Sequence, residues 1–390
     1  MKYLLIIIIT YLYIYNPVFS ALPSIDSLMV MYPLLFLLVF GKYQYALIKC
    51  RKILLTWSVV FFFILIRTIA GGEFSYIYGW VGYLIEAILI SIIWAVFLSK
   101  NGVDIIKLLL LVSSISATIS CLCLFFPTID SFVRSIQIEY TEVNKYIIIR
   151  SFGLAQGLNF EFSIVQGLVF GIGLFNIKDN KWFAFFMPLI VISILINART
   201  GFLVVILALL IYMLYKKIIV IPLVAFITVS FAYVSLRNYI PEETGAWIEE
   251  FFFQIEDAIF GTNKAQFNTA GELGDMLIWP NDLPSWILGN GHSLFRLKSG
   301  ANSDVGYVNQ IAYGGGIYFC LVVYLFYISV NKCYKYIPRF LFYFIIITSL
   351  LINIKGSVFG VNSSIIRVLS LFSFTTFFAC QIKNSTYVKR

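Results

Sequence analysis

The residues best suited to chemistry in this chain are one histidine and a set of arginines held close to long apolar stretches. His292 is the sole histidine, in Trp286-Ile287-Leu288-Gly289-Asn290-Gly291-His292-Ser293, where flanking glycines permit backbone geometries closed to other residues. Imidazole is the side chain whose charge changes nearest neutral pH, so it can take a proton from a sugar hydroxyl without help from a metal. Downstream, Arg296 and then Ser303-Asp304-Val305-Gly306-Tyr307-Val308-Asn309 deliver polar groups to the mouth of an apolar segment. Arg199 sits at the tip of Asn197-Ala198-Arg199-Thr200-Gly201, between two closely spaced apolar segments. Arg67 lies just before Ala70-Gly71-Gly72, and Arg367 lies near the start of the last apolar segment. At a rise of about 1.5 Å per residue, each of these three falls within roughly 6 Å of a membrane boundary, the level of headgroup phosphates. A planar guanidinium suits bidentate recognition of phosphate or carboxylate. Arg150, followed by Gln156, Asn159 and Glu161, is a further phosphate or sugar candidate. The plain alternative is snorkelling to lipid phosphates, and it weighs most on Arg367.

Other polar residues have plainer roles. Glu86 lies well inside an apolar segment and needs a partner, and Arg67 on the preceding antiparallel segment is the expected one, in a structural ion pair. Arg134, Arg237 and Lys145 read as solvated loop charges. Trp279, Trp286 and Tyr307 offer flat faces for sugar rings, with loop packing as the alternative for each. Cys50, Cys121, Cys123, Cys320, Cys333 and Cys380 all fall in or beside apolar segments, so no disulfide framework is implied. Cys121 and Cys123 point in different directions on a helix, and one histidine cannot build a His-rich centre. No metal and no cofactor are expected.

The elements that must position these residues are membrane helices. A hydrophobic fraction of 61% and a mean hydropathy of +0.92 exclude a soluble domain. Hydropathy marks about twelve spans, at 3–20, 28–41, 53–70, 79–98, 108–126, 159–175, 182–198, 201–215, 218–236, 307–330, 340–354 and 364–380. The expected fold is therefore all-α, one polytopic membrane domain over 1–390. With the N-terminus inside, the lysine clusters Lys42/Lys49/Lys52, Lys100/Lys107, Lys178/Lys181, Lys216/Lys217, Lys332/Lys335 and Lys383/Lys389 fall in cytoplasmic links, as does the C-terminus. Most arginines fall instead in outer loops or just inside outer helix ends. The net charge of +9 is thus a topology signal rather than a nucleic-acid footprint, and no nucleic-acid partner is expected. Residues 1–20 imitate a signal peptide, with Val18-Phe19-Ser20 before Ala21, and are read as an uncleaved first span.

Two outer connections, 127–158 and 237–306, are too long to be simple turns. The second opens with Pro241-Glu242-Glu243 and places Trp247, Phe251, Ile255 and Ile259 at four-residue spacing. That pattern predicts an amphipathic helix ending near Gly261, read as a lid packed over the transmembrane helices. No internal repeat is evident, which counts against transporters built from duplicated halves.

The chain resembles the Wzy-type O-antigen and surface-polysaccharide polymerases, relatives of the O-antigen ligases. The resemblance rests on Ile196-Asn197-Ala198-Arg199-Thr200-Gly201, Leu288-Gly289-Asn290-Gly291-His292-Ser293 and Ser303-Asp304-Val305-Gly306-Tyr307 ahead of Gly314-Gly315-Gly316. It rests also on layout, the largest outer loop following the ninth span. It implies a GT-C-like glycosyltransferase of the bacterial inner membrane that joins oligosaccharide repeat units carried on undecaprenyl diphosphate. Arg199 would hold the donor pyrophosphate, with Arg67, Arg150, Arg296 and Arg367 as further phosphate or sugar contacts beside Asp304 and Tyr307. His292 would activate the acceptor hydroxyl. The lipid bilayer and a chain-length-regulating membrane protein are the other partners expected. One family feature is missing: where some members place glycine eleven residues after an arginine, Glu161 follows Arg150 and Tyr307 follows Arg296. The alternatives are a ligase, which transfers finished polymer to a lipid A core, a lipid-linked oligosaccharide flippase or other transporter, and a purely structural membrane scaffold. A flippase requires polar groups through the full depth of the helices, whereas the ionisable residues here cluster at the outer third.

Overall fold

In a computed structural model, residues 2–20, 43–137, 150–155, 160–216, 240–261, 269–294, 303–360 and 363–387 are described. Among them the regular structure is helical, with no strand and a single isolated bridge between Phe19 and Gln137. Six helices are long and apolar enough to cross a membrane: Arg51–Ile69, Ser75–Lys100, Ile105–Phe125, Arg199–Lys216, Gly306–Tyr336 and Ser364–Asn384. Four shorter apolar helices accompany them: Lys2–Tyr15, Glu161–Phe175, Phe183–Asn197 and Arg339–Ile352. The protein is a helical membrane protein. These ten helices coincide with ten of the expected spans, while 28–41 and 218–236 lie outside the described residues. The first helix stops at Tyr15, because Asn16 turns to a positive φ of 44° and Pro17 follows.

The contacts divide the chain into two units, neither continuous in sequence. One holds Met1–Val30 and Ile106–Asn268; the other holds Met31–Ile105 and Thr269–Arg390. The long 237–306 connection is shared between them, and hydropathy carries no sign of that division.

In the first unit, the Glu161–Phe175 and Arg199–Lys216 helices pack backbone to backbone. A Cβ on Gly167 would stand 2.7 Å from the Gly201 carbonyl oxygen, so both positions must stay small, as at close helix crossings in membranes. Polar side chains tie the helices where lipid offers no hydrogen bonds. The Ser113 hydroxyl donates to Gln166 Oε1, and Gln166 Nε2 donates to the Ser113 carbonyl at 3.4 Å. Tyr15 adds a ring contact to Phe162 at 5.9 Å.

The Glu242–Phe260 helix forms as its sequence predicts and ends at Gly261, whose φ of 66° and ψ of 34° are left-handed. It packs through Ile248 against Leu124 and Ile196, with Trp247 and Phe252 alongside. The buried face therefore passes through 248 and 252 as well as Trp247. The side chains of Phe251, Ile255 and Ile259 lie outside the described residues. Within the 127–158 connection a helix runs over Pro127–Ile136, opened by its proline.

In the second unit, the Ser75–Lys100 helix widens to π geometry over Tyr83–Ile90, a distortion concentrated at functional or strained positions. Glu86 lies within it. The carboxylate meets Arg367 rather than Arg67: Arg367 Nη1 donates to Glu86 Oε2 at 2.7 Å, and both side chains are buried. The expected Arg67–Glu86 pair is thus corrected. The Ser364–Tyr387 helix packs along the Ser75–Lys100 helix and brings the later arginine in, which sequence adjacency had not suggested. Removing one partner of a buried pair leaves a charge without its counterion and costs about 3–5 kcal/mol. Glu86→Ala should therefore sharply lower the thermal midpoint of detergent-purified protein, and the paired Glu86→Leu, Arg367→Leu variant should recover most of the loss. An unchanged midpoint in Glu86→Ala would show that the pair carries no stability.

Candidate functional site

Four of the sequence candidates, Arg150 with Arg199 and Arg67 with His292, fall into two clusters, one in each unit. In the first unit, Arg199 is the opening residue of a helix rather than the tip of a loop, because Ala198 alone separates Asn197 from it, in extended geometry (φ −160°, ψ 131°). Asn197 is fully buried and acts as a clamp. Its amide donates to the carbonyls of Ser193 and Ser151 at 2.7 Å each and to Ser120 Oγ at 3.3 Å. Ser151 Oγ in turn donates to the Ser120 carbonyl at 2.9 Å. The segment after Arg150 is thereby fixed to two membrane helices.

That clamp brings Arg150 and Arg199 to the same ring. The guanidinium carbon of Arg199 lies 4.2 Å, and that of Arg150 5.0 Å, from the centroid of Trp247. Arg199 Nη2 also donates to the Trp247 carbonyl at 3.2 Å, while the Glu250 carboxylate on the same helix is buried and close enough to act on it. Cation–π contacts of this kind contribute about 0.5–2 kcal/mol each. The Glu242–Phe260 helix therefore supplies one ring that both cations approach. Sequence reading had Arg150 and Arg199 as separate candidates and Trp247 only as an apolar face residue.

In the second unit, the His292 loop is pinned into a broken helix. Gly315 adopts φ 66° and ψ −170° inside Gly306–Val330, where an unbroken helix would continue. The carbonyls of Ala312 and Tyr313, which a continuous helix would direct to residues 316 and 317, instead accept from Asn290 N at 2.6 Å and Gly291 N at 2.9 Å. Gly315 must lack a side chain, because a Cβ there would stand 2.5 Å from Leu288 N. The short Leu283–Leu288 helix that feeds this loop is capped by Asp282, whose carboxylate accepts from Ser285 N at 2.8 Å and from Ser285 Oγ at 2.7 Å. The same contacts, the hydroxyl first, hold Asp282 below the usual carboxylate range.

The turn after Arg51–Ile69 grips the loop from its other side. Arg67 Nη2 donates to the Gly289 carbonyl at 2.7 Å. Glu73 N donates to the Gly291 carbonyl at 2.9 Å, and Glu73 Oε1 accepts from Ser293 N at 2.7 Å. Ser293 Oγ donates to Asn309 Oδ1 at 2.8 Å, and the Tyr76 and Tyr313 rings stack at 3.5 Å. The main chain is held at 289, 290, 291 and 293. Between those anchors the His292 side chain stays 56% exposed, its Nδ1 3.8 Å from Glu73 Oε1.

The remaining candidates are placed as follows. Arg67 stands beside the His292 loop, spent in part on Gly289. Arg367 is buried against Glu86 and donates also to Ser364 Oγ at 2.9 Å, instead of facing headgroups. Tyr307 donates its hydroxyl to the Leu350 carbonyl at 2.7 Å and packs edge-on to Phe319. Asp304 is half-buried. Trp279 and Trp286 stack on each other, 5.5 Å between centroids and 15° apart, and both are exposed. Arg296, Arg237 and Lys145 lie outside the described residues. Among the described residues no group of three His, Cys, Asp or Glu could hold a metal ion. Glu73, Asn197 and Trp247 are the members that sequence reading missed. Glu73, directly after Gly71-Gly72, was the one signal within reach, as a carboxylate following an arginine in a tight turn. No family model, curated protein or solved structure matches this chain.

Proposed function

We propose that this protein is a lipid-carrier-dependent glycosyltransferase of the Wzy type, a GT-C-like enzyme of about twelve spans in the bacterial inner membrane with both termini cytoplasmic. It joins oligosaccharide repeat units, delivered on undecaprenyl diphosphate, into O-antigen or capsular polysaccharide at the outer face. The observation that carries the reading is His292: an exposed imidazole on a main chain anchored at 289, 290, 291 and 293. A loop gripped that firmly around one open proton acceptor suits a general base, which must be positioned before it is useful. The arginines suit the other half of the chemistry. Diphosphate leaves readily once its developing charge is met, and Arg199 with Arg150 forms the pair of cations for it.

In the reaction, the acceptor hydroxyl oxygen forms a bond to the anomeric carbon of the growing chain. The bond from that carbon to the diphosphate oxygen breaks, and its electron pair departs on undecaprenyl diphosphate. The hydroxyl proton passes to His292. The donor arrives by lateral diffusion in the lipid, so no nucleotide-binding fold is required.

The flippase reading gains one observation, the buried polar contacts of Ser113 and Gln166 well inside the helices. Those groups are uncharged, fully buried and bonded to one another, which suits helix adhesion rather than a path. Purified protein in lipid nanodiscs, given undecaprenyl-diphosphate-linked repeat units alone, should yield a ladder of longer glycans. Product only when a lipid A core is added would identify a ligase instead, and no product with either acceptor would end the glycosyltransferase reading.

A further inference from the structure

We infer that Glu73 is the positioning residue of the His292 base, fixing which ring nitrogen faces the acceptor and countering the charge that the imidazole gains. The inference rests on the assignment of His292 as base. Glu73 lies on the turn that leaves the Arg51–Ile69 helix, far in sequence from His292, and nothing in the pattern of apolar segments connects the two.

Three contacts place the carboxylate. Its own amide donates to the Gly291 carbonyl at 2.9 Å, so its main chain is tied to the residue before the histidine. Its Oε1 accepts from Ser293 N at 2.7 Å, so its side chain is tied to the residue after. The same oxygen stands 3.8 Å from His292 Nδ1. Glu73 thus spans the histidine from both flanks and aims an acceptor at one ring nitrogen only. Catalytic hydrogen bonds are commonly long before substrate binds and shorten in the complex. An acceptor on the Nδ1 side favours the tautomer that carries its proton there, leaving the Nε2 lone pair for the hydroxyl proton. When Nε2 takes that proton, the imidazolium forms beside a carboxylate and the pair becomes a charge-assisted contact. Glu73 itself exchanges no proton.

Arg67 completes the arrangement. Its guanidinium bonds the Gly289 carbonyl, on the same loop as the Glu73 contacts, and holds the loop without engaging His292. The stacked rings of Tyr76 and Tyr313 fix the two elements that carry Glu73 and the freed carbonyls.

The test exploits the fact that the chain has one histidine. Protein made with 15N-labelled histidine reports the His292 tautomer alone, without assignment. The native protein should show the proton on Nδ1. Glu73→Gln keeps an oxygen acceptor for Ser293 N, so the loop should stay anchored, but it removes the charge; turnover should fall roughly 10- to 100-fold with KM little changed. The 15N signals should move toward a mixture of tautomers. Glu73→Asp, with a carboxylate one methylene shorter, should fall between. Native turnover and an unchanged tautomer in Glu73→Gln would overturn the inference. If His292→Ala were fully active, the base assignment itself would fail, while the 15N signals would still report whether Glu73 sets the tautomer. The two failures are therefore distinguishable.

Discussion

Arg199→Ala should abolish polymer formation while leaving the protein at normal abundance in the membrane. The guanidinium opens the Arg199–Lys216 helix, where backbone N–H groups already favour an anion, and it shares the Trp247 ring with Arg150. A diphosphate that must depart with two electrons needs that charge in the transition state more than in the ground state, so turnover should suffer more than binding. Arg199→Lys should recover only part of the activity, because a point charge cannot reproduce the fork or the stacking on an indole. Trp247 offers a second probe of the same arrangement. Trp247→Phe keeps a ring and the carbonyl that accepts from Arg199, and should be mild. Trp247→Ala removes the ring, and the loss of about 0.5–2 kcal/mol corresponds to roughly a 2- to 30-fold fall. The measurement is polymer formed per unit of folded protein, alongside binding of undecaprenyl diphosphate. Unimpaired polymer in Arg199→Ala would reduce this residue to an anchor for lipid headgroups.

Arg199 also shows what the sequence could and could not disclose. Its candidacy was legible because a cation in a tight connection between apolar segments has few structural reasons to exist. Its partner was not legible. Trp247 reads as one more apolar residue on an amphipathic helix, and only the fold turns its ring toward two arginines. Glu86 makes the same point: the need for a counterion followed from burial, yet the nearest arginine in sequence was the wrong one. Helix neighbours in a membrane are set by packing of small residues and side-chain shape, which a hydropathy trace averages away. The helices among the described residues were legible for the opposite reason. Lipid excludes unsatisfied backbone, so any apolar stretch of sufficient length must be helical whatever its neighbours.

The glycines inside the Gly306–Val330 helix are an intermediate case. In the sequence Gly314-Gly315-Gly316 stands out only as a run of small residues. That Gly315 breaks the helix, and that the freed carbonyls of Ala312 and Tyr313 receive Asn290 and Gly291, depends on a pairing between distant segments. Periodicity carries no record of such a pairing. The consequence for the site is large, because the break supplies the acceptors that tie the histidine loop at 290 and 291.

His292→Ala should lower turnover by about 10²- to 10⁴-fold, the usual worth of a general base, while donor binding survives. The side chain is 56% exposed and makes none of the contacts that anchor its loop, which run through the main chain at 289, 290, 291 and 293. Truncation at 292 should therefore leave the fold intact, and the thermal midpoint should move little. An acceptor hydroxyl is a poor nucleophile at neutral pH, so loss of the base falls on the chemical step and appears in kcat rather than KM. His292→Gln separates proton transfer from placement. Glutamine can hold a hydrogen bond to the hydroxyl but cannot accept its proton, so it should be nearly as poor as alanine. Single-turnover polymerisation with lipid-linked repeat units, measured beside binding of undecaprenyl diphosphate, reads both quantities. Full activity in His292→Gln would mean that positioning alone suffices. Loss of donor binding in His292→Ala would move the imidazole from the acceptor to the diphosphate.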